Sequence, residues 1–136
     1  MKELTIAAVI ENIDAVTDFV NEQLESYDCP MKAQMQIDIV IDEIFGNISH
    51  YAYTPAVGDA TIRVEVAEDP LCATITFIDS GVPYDPLAKA DPDTTLSADE
   101  REIGGLGIFM VKKSMDEVTY EYKDGQNILT IKKSLK

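Results

Sequence analysis

The chain has 136 residues, a length that suits one domain with a hydrophobic core of its own. Hydrophobic residues make up 46% and charged residues 26%, which is ordinary globular usage and argues against disorder. Eleven Lys and Arg against 25 Asp and Glu leave a formal net charge of −14, a surface that repels a phosphate backbone and anionic lipid, so neither direct nucleic-acid binding nor membrane docking is expected.

Residues 2–9 (KELTIAAV) read as a strand. Residues 12–27 place Ile13, Val16, Val20 and Leu24 three or four apart, the spacing of a helical stripe. Asp28-Cys29-Pro30 interrupts it. Residues 31–50 carry a stronger helical pattern, with Ile37, Val40, Ile41, Ile44, Ile48 and Tyr51 on one side. Tyr53-Thr54-Pro55 and Gly58-Asp59 end it. The period then changes to two. In ATIRVEVAED, Ile62, Val64 and Val66 alternate with Arg63 and Glu65, and LCATITFID follows after Asp69-Pro70, so the two predict a hairpin. Residues 80–103, with three Pro and several Asp, read as a long loop, and such loops in small domains are usually functional. Gly104-Gly105-Leu106-Gly107 opens a third helix through about Met115. Val118–Tyr122 and Ile128–Lys132 predict two closing strands, joined at Asp124-Gly125 by a loop longer than two residues. The order β-α-α-β-β-loop-α-β-β predicts one α/β two-layer sandwich.

Three segments carry residue types suited to chemistry. In DEIFGNISHYAY, Glu43, Asn47 and His50 stand at i, i+4 and i+7, on a stripe at the margin of the apolar face. A half-shielded carboxylate there suits a general base, and an amide carbonyl suits Mg²⁺. The same spacing also suits a plain solvated helix flank. Asp79-Ser80-Gly81 closes an apolar strand. Its carboxylate suits an exocyclic amine such as that of adenine, and its glycine suits a flat ring, although strand-Asp-x-Gly is also an ordinary turn. Gly104 to Gly107 at a helix start offers free N–H groups and a dipole to an anion, or a simple hinge. It is neither a Walker A nor a Rossmann fingerprint.

Other sites are not expected. Asp91, Asp93, Thr95, Ser97, Asp99 and Glu102 fall at EF-hand positions, but Leu96 stands where that loop needs Gly. Ser49 and His50 are helix neighbours that point apart, and no GxSxG elbow exists. Cys29 and Cys72 are isolated and only one His is present, so they read as reduced core cysteines of a cytoplasmic protein. No apolar run approaches the ~18 residues of a membrane span, and acids within MKELTIAAVIENIDAV argue against a signal peptide.

Taken together and in order, EIFGNISHYAY, FIDSGVPYDP and GGLGIFMVKKSMDEVTYEYKDGQNILTIKK resemble the N, G1 and G2 boxes of the GHKL ATPase superfamily. The small size, the DSGVPYDP form and the MDEV after the third helix look most like its anti-sigma factor serine kinases. The resemblance runs from the first strand to Lys133. It implies a Bergerat fold, a mixed, mostly antiparallel sheet with helices on one face. It makes Glu43 the general base and Asn47 the Mg²⁺ ligand, and it aligns His50 with a family His of less certain role. It makes Asp79 the reader of the adenine amine, with Gly81 beneath the base. It sets Gly104, Gly105 and Gly107 at the phosphates, Arg101 in an ATP lid over residues 84–103, and Thr130 beside the adenine. Arg101 or Lys112 would help offset the charge of ATP. Gly46 departs from the pattern where a helix former is expected, at a cost of ~1 kcal/mol relative to Ala.

The function so implied is ATP-dependent serine phosphorylation, with ATP and Mg²⁺ bound. The partners implied are a sigma factor that the protein silences and an anti-anti-sigma protein that it phosphorylates. A homodimer is also implied, and Phe19 and Val9 are apolar residues that could serve it. The alternatives are a silent nucleotide-sensing module and a detached histidine-kinase ATPase domain.

Overall fold

Alternation in the strands and three- to four-residue spacing in the helices give each element one apolar side, and these sides meet in a single core. The structure is a computed structural model that describes residues 2–53, 56–68, 71–83, 85 and 105–135. Strand β1 (Lys2–Ala7) leads to α1 (Ile13–Leu24) and α2 (Met31–Asn47). Strands β2 (Asp59–Glu68) and β3 (Leu71–Asp79) come next, then α3 (Gly105–Ser114), β4 (Glu117–Lys123) and β5 (Gln126–Ser134).

The five strands form one sheet in the order β1-β2-β3-β5-β4. All four pairings are antiparallel, so the mixed sheet expected from the resemblance is not what the described residues form. The reason is topological. The connection through α3 returns β4 in the direction of β3, but the β4–β5 hairpin inserts β5 between them, so no parallel neighbours meet. The hairpin is also tighter than expected. Lys123 pairs with Gln126, and Asp124 and Gly125 both have positive φ, 55° and 77°, the signature of a two-residue type I′ turn.

Ile62 and Val64 in β2, Ile75 and Phe77 in β3, and Leu129 and Ile131 in β5 form the inner face of the sheet. Val16, Val20 and Leu24 of α1 cover it, together with Ile37, Val40, Ile41 and Ile44 of α2. Each such side chain contributes roughly 1.5–3 kcal/mol on burial. Cys72 lies on the opposite face with Thr74 and Thr76, and Cys29 is half-buried, so neither is a fully buried core residue. Asp28, at φ 52°, ends the short turn after α1, and Pro30 starts α2. No helix among the described residues is long and apolar enough to cross a membrane.

Two glycines test this fold in opposite directions. Gly125 needs its positive φ, so Gly125→Ala is expected to lose about 1–2 kcal/mol of stability. A Cβ on Gly46 would meet nothing within 4 Å, so Gly46→Ala is expected to gain up to about 1 kcal/mol. Urea denaturation of the two variants checks both signs.

Candidate ATP-binding site

The last regular turn of α2 carries Glu43 and Asn47 on one flank, and Asn47 Nδ2 donates to Glu43 Oε1 at 3.4 Å. Both are half-buried. Burial pushes the Glu43 carboxyl above its ordinary value, and the Asn47 hydrogen bond partly counters this. Beyond Asn47 the helix widens into a π turn, Ile48–Ala52. The wider turn changes which residues face inward. Tyr51 lines the cleft between α2 and the sheet, whereas His50 is exposed and is not part of it. The i, i+4, i+7 stripe expected from an unbroken helix therefore holds for Glu43 and Asn47 and fails for His50. Tyr51 is likewise 57% exposed instead of packed with the core.

The π turn is fixed from two sides. The Tyr53 hydroxyl donates to the Asp59 carbonyl at 2.6 Å and accepts from the Ser80 N–H at 2.7 Å. Val82 N–H donates to the Ala52 carbonyl at 2.9 Å. A Cβ on Gly81 would lie 2.2 Å from that same carbonyl oxygen. Gly81 is thus required because the loop after β3 packs directly on the helix end, a constraint of packing that spacing alone did not reveal.

Asp79 ends β3 and is 6% exposed. Its Oδ1 accepts from the Gly81 N–H and from Asn127 Nδ2, both at 2.9 Å. Asn127, equally buried, pairs directly with Asp79 in the β3–β5 ladder. Its Nδ2 also donates to the Val82 carbonyl at 2.9 Å, and its Oδ1 accepts from the Tyr120 hydroxyl. Between this network and α2 lies the cleft. Ile44, Ile48 and Ala52 form one wall, Phe77 and Leu129 the floor, and Val82 the rim. Asn47, Asp79 and Asn127 supply polar groups to it. A cleft with mostly apolar walls and one hydrogen-bonded carboxylate suits an aromatic base bearing an amine.

The structure thus brings Asn47 and Asp79 to one cleft, with Glu43 beside Asn47. It does not bring Thr130 there. Thr130 pairs with Thr76 and lies on the face of the sheet away from the helices, because inward positions of β5 are Asn127, Leu129 and Ile131. Asn127 takes the place expected of Thr130. The signal for it was the same period of two that marks Leu129 and Ile131, which leaves Asn127 as the inward polar residue of the strand. Gly105 and Gly107 fall in the first turn of α3, and Lys112 falls in its last turn, roughly 10 Å further along. Lys112 therefore does not stand at the glycine end of that helix. Arg101, Gly104, the rest of the 86–104 segment and the EF-hand-like positions lie outside the described residues.

A model of the histidine kinase-like ATPase domain matches residues 6–133. The chain belongs to this family. Over 100 residues it is 27% identical to the serine/threonine-protein kinase BtrW of Bordetella bronchiseptica, a match covering 74% of this chain and 70% of the relative. Over 98 residues it is 31% identical to the serine-protein kinase RsbW of Bacillus cereus, covering 69% of this chain and 60% of that one. Both of these curated relatives are named as serine kinases. Among solved structures, the RsbU and RsbW domains of a Mycobacterium tuberculosis protein share its fold, with a TM-score of 0.66 at 17% identity. That match covers 99% of this chain and 33% of the other. The Acinetobacter baumannii histidine kinase AdeS gives a TM-score of 0.57 at 14% identity, over 99% of this chain and 69% of the other. The helices over an antiparallel sheet are thus the α/β fold of these ATPases.

Asn127 is the test of the network. Asn127→Ala would leave the Tyr120 hydroxyl and the Val82 carbonyl without it and remove a donor from Asp79. A loss of about 1–3 kcal/mol of stability is expected, because the buried Asp79 carboxylate loses a donor, and urea denaturation measures it. Thr130→Ala, on the other face, is expected to change stability by less than about 0.5 kcal/mol.

Proposed function

We propose that this protein is an ATP-dependent serine kinase and anti-sigma regulatory factor that phosphorylates an anti-anti-sigma partner. The observation that carries the proposal is the cleft itself, lined by a buried, hydrogen-bonded Asp79 and by Asn47, whose side chain also bonds Glu43. The bonds given to Asp79 fall on Oδ1. Oδ2 is the oxygen that would accept from an adenine amine. Guanine presents a carbonyl at that position, so a fixed carboxylate would reject it.

Asn47 donates through Nδ2 to Glu43, which leaves its carbonyl oxygen for a cation. An amide oxygen beside a carboxylate fits Mg²⁺, which takes hard oxygen ligands. Bound there, the ion would neutralise charge on the phosphates during transfer. Glu43 would accept the proton of the attacking serine hydroxyl as that oxygen bonds to the γ-phosphorus and ADP leaves. Gly105 and Gly107, in the first turn of α3, would turn backbone N–H groups toward the phosphates. The proposal includes, from the family resemblance, a sigma factor held silent and a homodimer. Phe19 and Val9 no longer argue for the dimer, since both are half-buried and Phe19 packs on the core.

Three outcomes are expected, the first and last of them in a radiolabelled-ATP transfer assay with an anti-anti-sigma substrate. Glu43→Gln should keep nucleotide binding and lose transfer by ~10²–10⁴. Transfer at the unmutated rate would remove Glu43 from the mechanism. Asp79→Asn should lose ~1–3 kcal/mol of adenine selectivity, read as ATP against GTP affinity by calorimetry. Because burial raises the Glu43 pKa, the base is ionised only above the ordinary value of 4.5, so the acid limb of the pH–rate profile should lie above that value. The same shift favours the protonated form in the fold, so its contribution to stability is present at low pH and fades as pH rises through the raised pKa.

A further inference from the structure

Helix α2 has a second face that the ATP site does not use. Met31, Met35 and Ile39 recur every four residues and are 77%, 58% and 57% exposed. At about 100° per residue Gly46 continues the same outward row. Its missing side chain meets nothing within 4 Å among the described residues, so their packing gives no reason for a glycine there. A bare helical backbone at the end of an exposed apolar stripe allows another backbone to approach closely. The row also contains the exposed acid Asp42, and Lys32 stands in its first turn.

The neighbouring helix supplies the charge. α1 and α2 pack along a seam that brings Asn21 near Asp38. On the outward side of α1, Asp14, Asp18 and Glu22 are exposed, as is Glu25 in the turn that follows, and α1 carries no Lys or Arg. We propose that the outer face of α2, bordered by this acidic face, is a docking surface for a basic amphipathic helix of a partner protein. Apolar residues of that helix at i and i+4 would cover Met35 and Ile39, and Lys or Arg on its flank would face the acids of α1. Methionines suit such a surface because their unbranched chains adapt to an incoming side chain. A second copy of this chain is the poorer occupant of this face, since its own exposed acids at the same place would meet these acids. The inference goes beyond the kinase reading, because docking on this face requires neither nucleotide nor phosphate transfer.

The test uses the whole chain, without nucleotide, and a synthetic amphipathic peptide of about 18 residues, long enough to form a helix on binding. The peptide carries Leu at i, i+4 and i+8 and Lys on its flanks. Binding in the micromolar range is expected, with backbone amide NMR shifts confined to α1 and α2. The double variant Met35→Glu with Ile39→Glu should weaken it at least ~10-fold, and Asp18→Lys with Glu25→Lys by a similar factor. Both pairs are exposed, so unchanged thermal melts are expected. A peptide with Ser for Leu and the same charge should bind at least ~10-fold more weakly. Equal binding of the Ser peptide, equal binding by the Met35/Ile39 variant, or shifts mapping elsewhere would overturn the proposal. So would a dimer in light scattering that the Met35/Ile39 variant dissociates, since a second copy would then hold the face. The kinase reading is scored separately, by the transfer assay, and either can fail without the other.

Discussion

A carboxylate buried in a protein of net charge −14 has to be surrounded by donors, and Asp79 organises its neighbourhood on that condition. The Gly81 N–H and Asn127 Nδ2 meet it at 2.9 Å. Each of these donors imposes a further requirement. Asn127 reaches Asp79 because β3 and β5 pair with these two residues opposite each other. That register also aligns Leu129 with Phe77 and Ile131 with Ile75, so the hydrophobic floor and the polar network are fixed together. Gly81 reaches Asp79 because the chain turns tightly against Ala52, where any side chain would collide with backbone.

The end of α2 is the other partner in this arrangement. Its π turn carries Ala52 to the loop after β3 and directs Tyr51 toward the cleft. Tyr53 then joins the helix end to both Asp59 and Ser80, so one hydroxyl spans the entry to β2 and the exit from β3. The cleft is therefore walled by groups whose positions depend on one another. Loosening the helix end would move the Val82 rim through its bond to Ala52, and Val82 in turn holds Asn127 through its carbonyl.

Helix α2 divides its surface three ways. One face packs on the sheet, one flank holds Glu43 and Asn47, and the outward row carries Met31, Met35 and Ile39. The hydrophobic period that predicts the helix reports the first face clearly. It is less sensitive to the others, since exposed apolar residues on the outward row dilute the contrast between sides. Acids concentrate on the exposed side of α1, away from the core that the two helices share.

The sequence by itself determined the elements, their order and most of their inward residues, because a period of two or of 3.6 is a property of the local chain. It also singled out Glu43, Asn47 and Asp79 as candidates, because their residue types and motif order carry the family resemblance, and the family match over residues 6–133 agrees with that resemblance. Only the tertiary structure decided the rest. Asn127, not Thr130, meets Asp79 because which polar residue faces it is set by strand parity and cross-strand register. His50 left the site and Tyr51 entered it because a single π turn rotates the side chains beyond Asn47, and no spacing rule for a regular helix anticipates that. The sheet became wholly antiparallel because the closing hairpin placed β5, not β4, beside β3. Each of these outcomes depends on groups distant in sequence meeting in space, and local patterns carry no record of which partner they will meet.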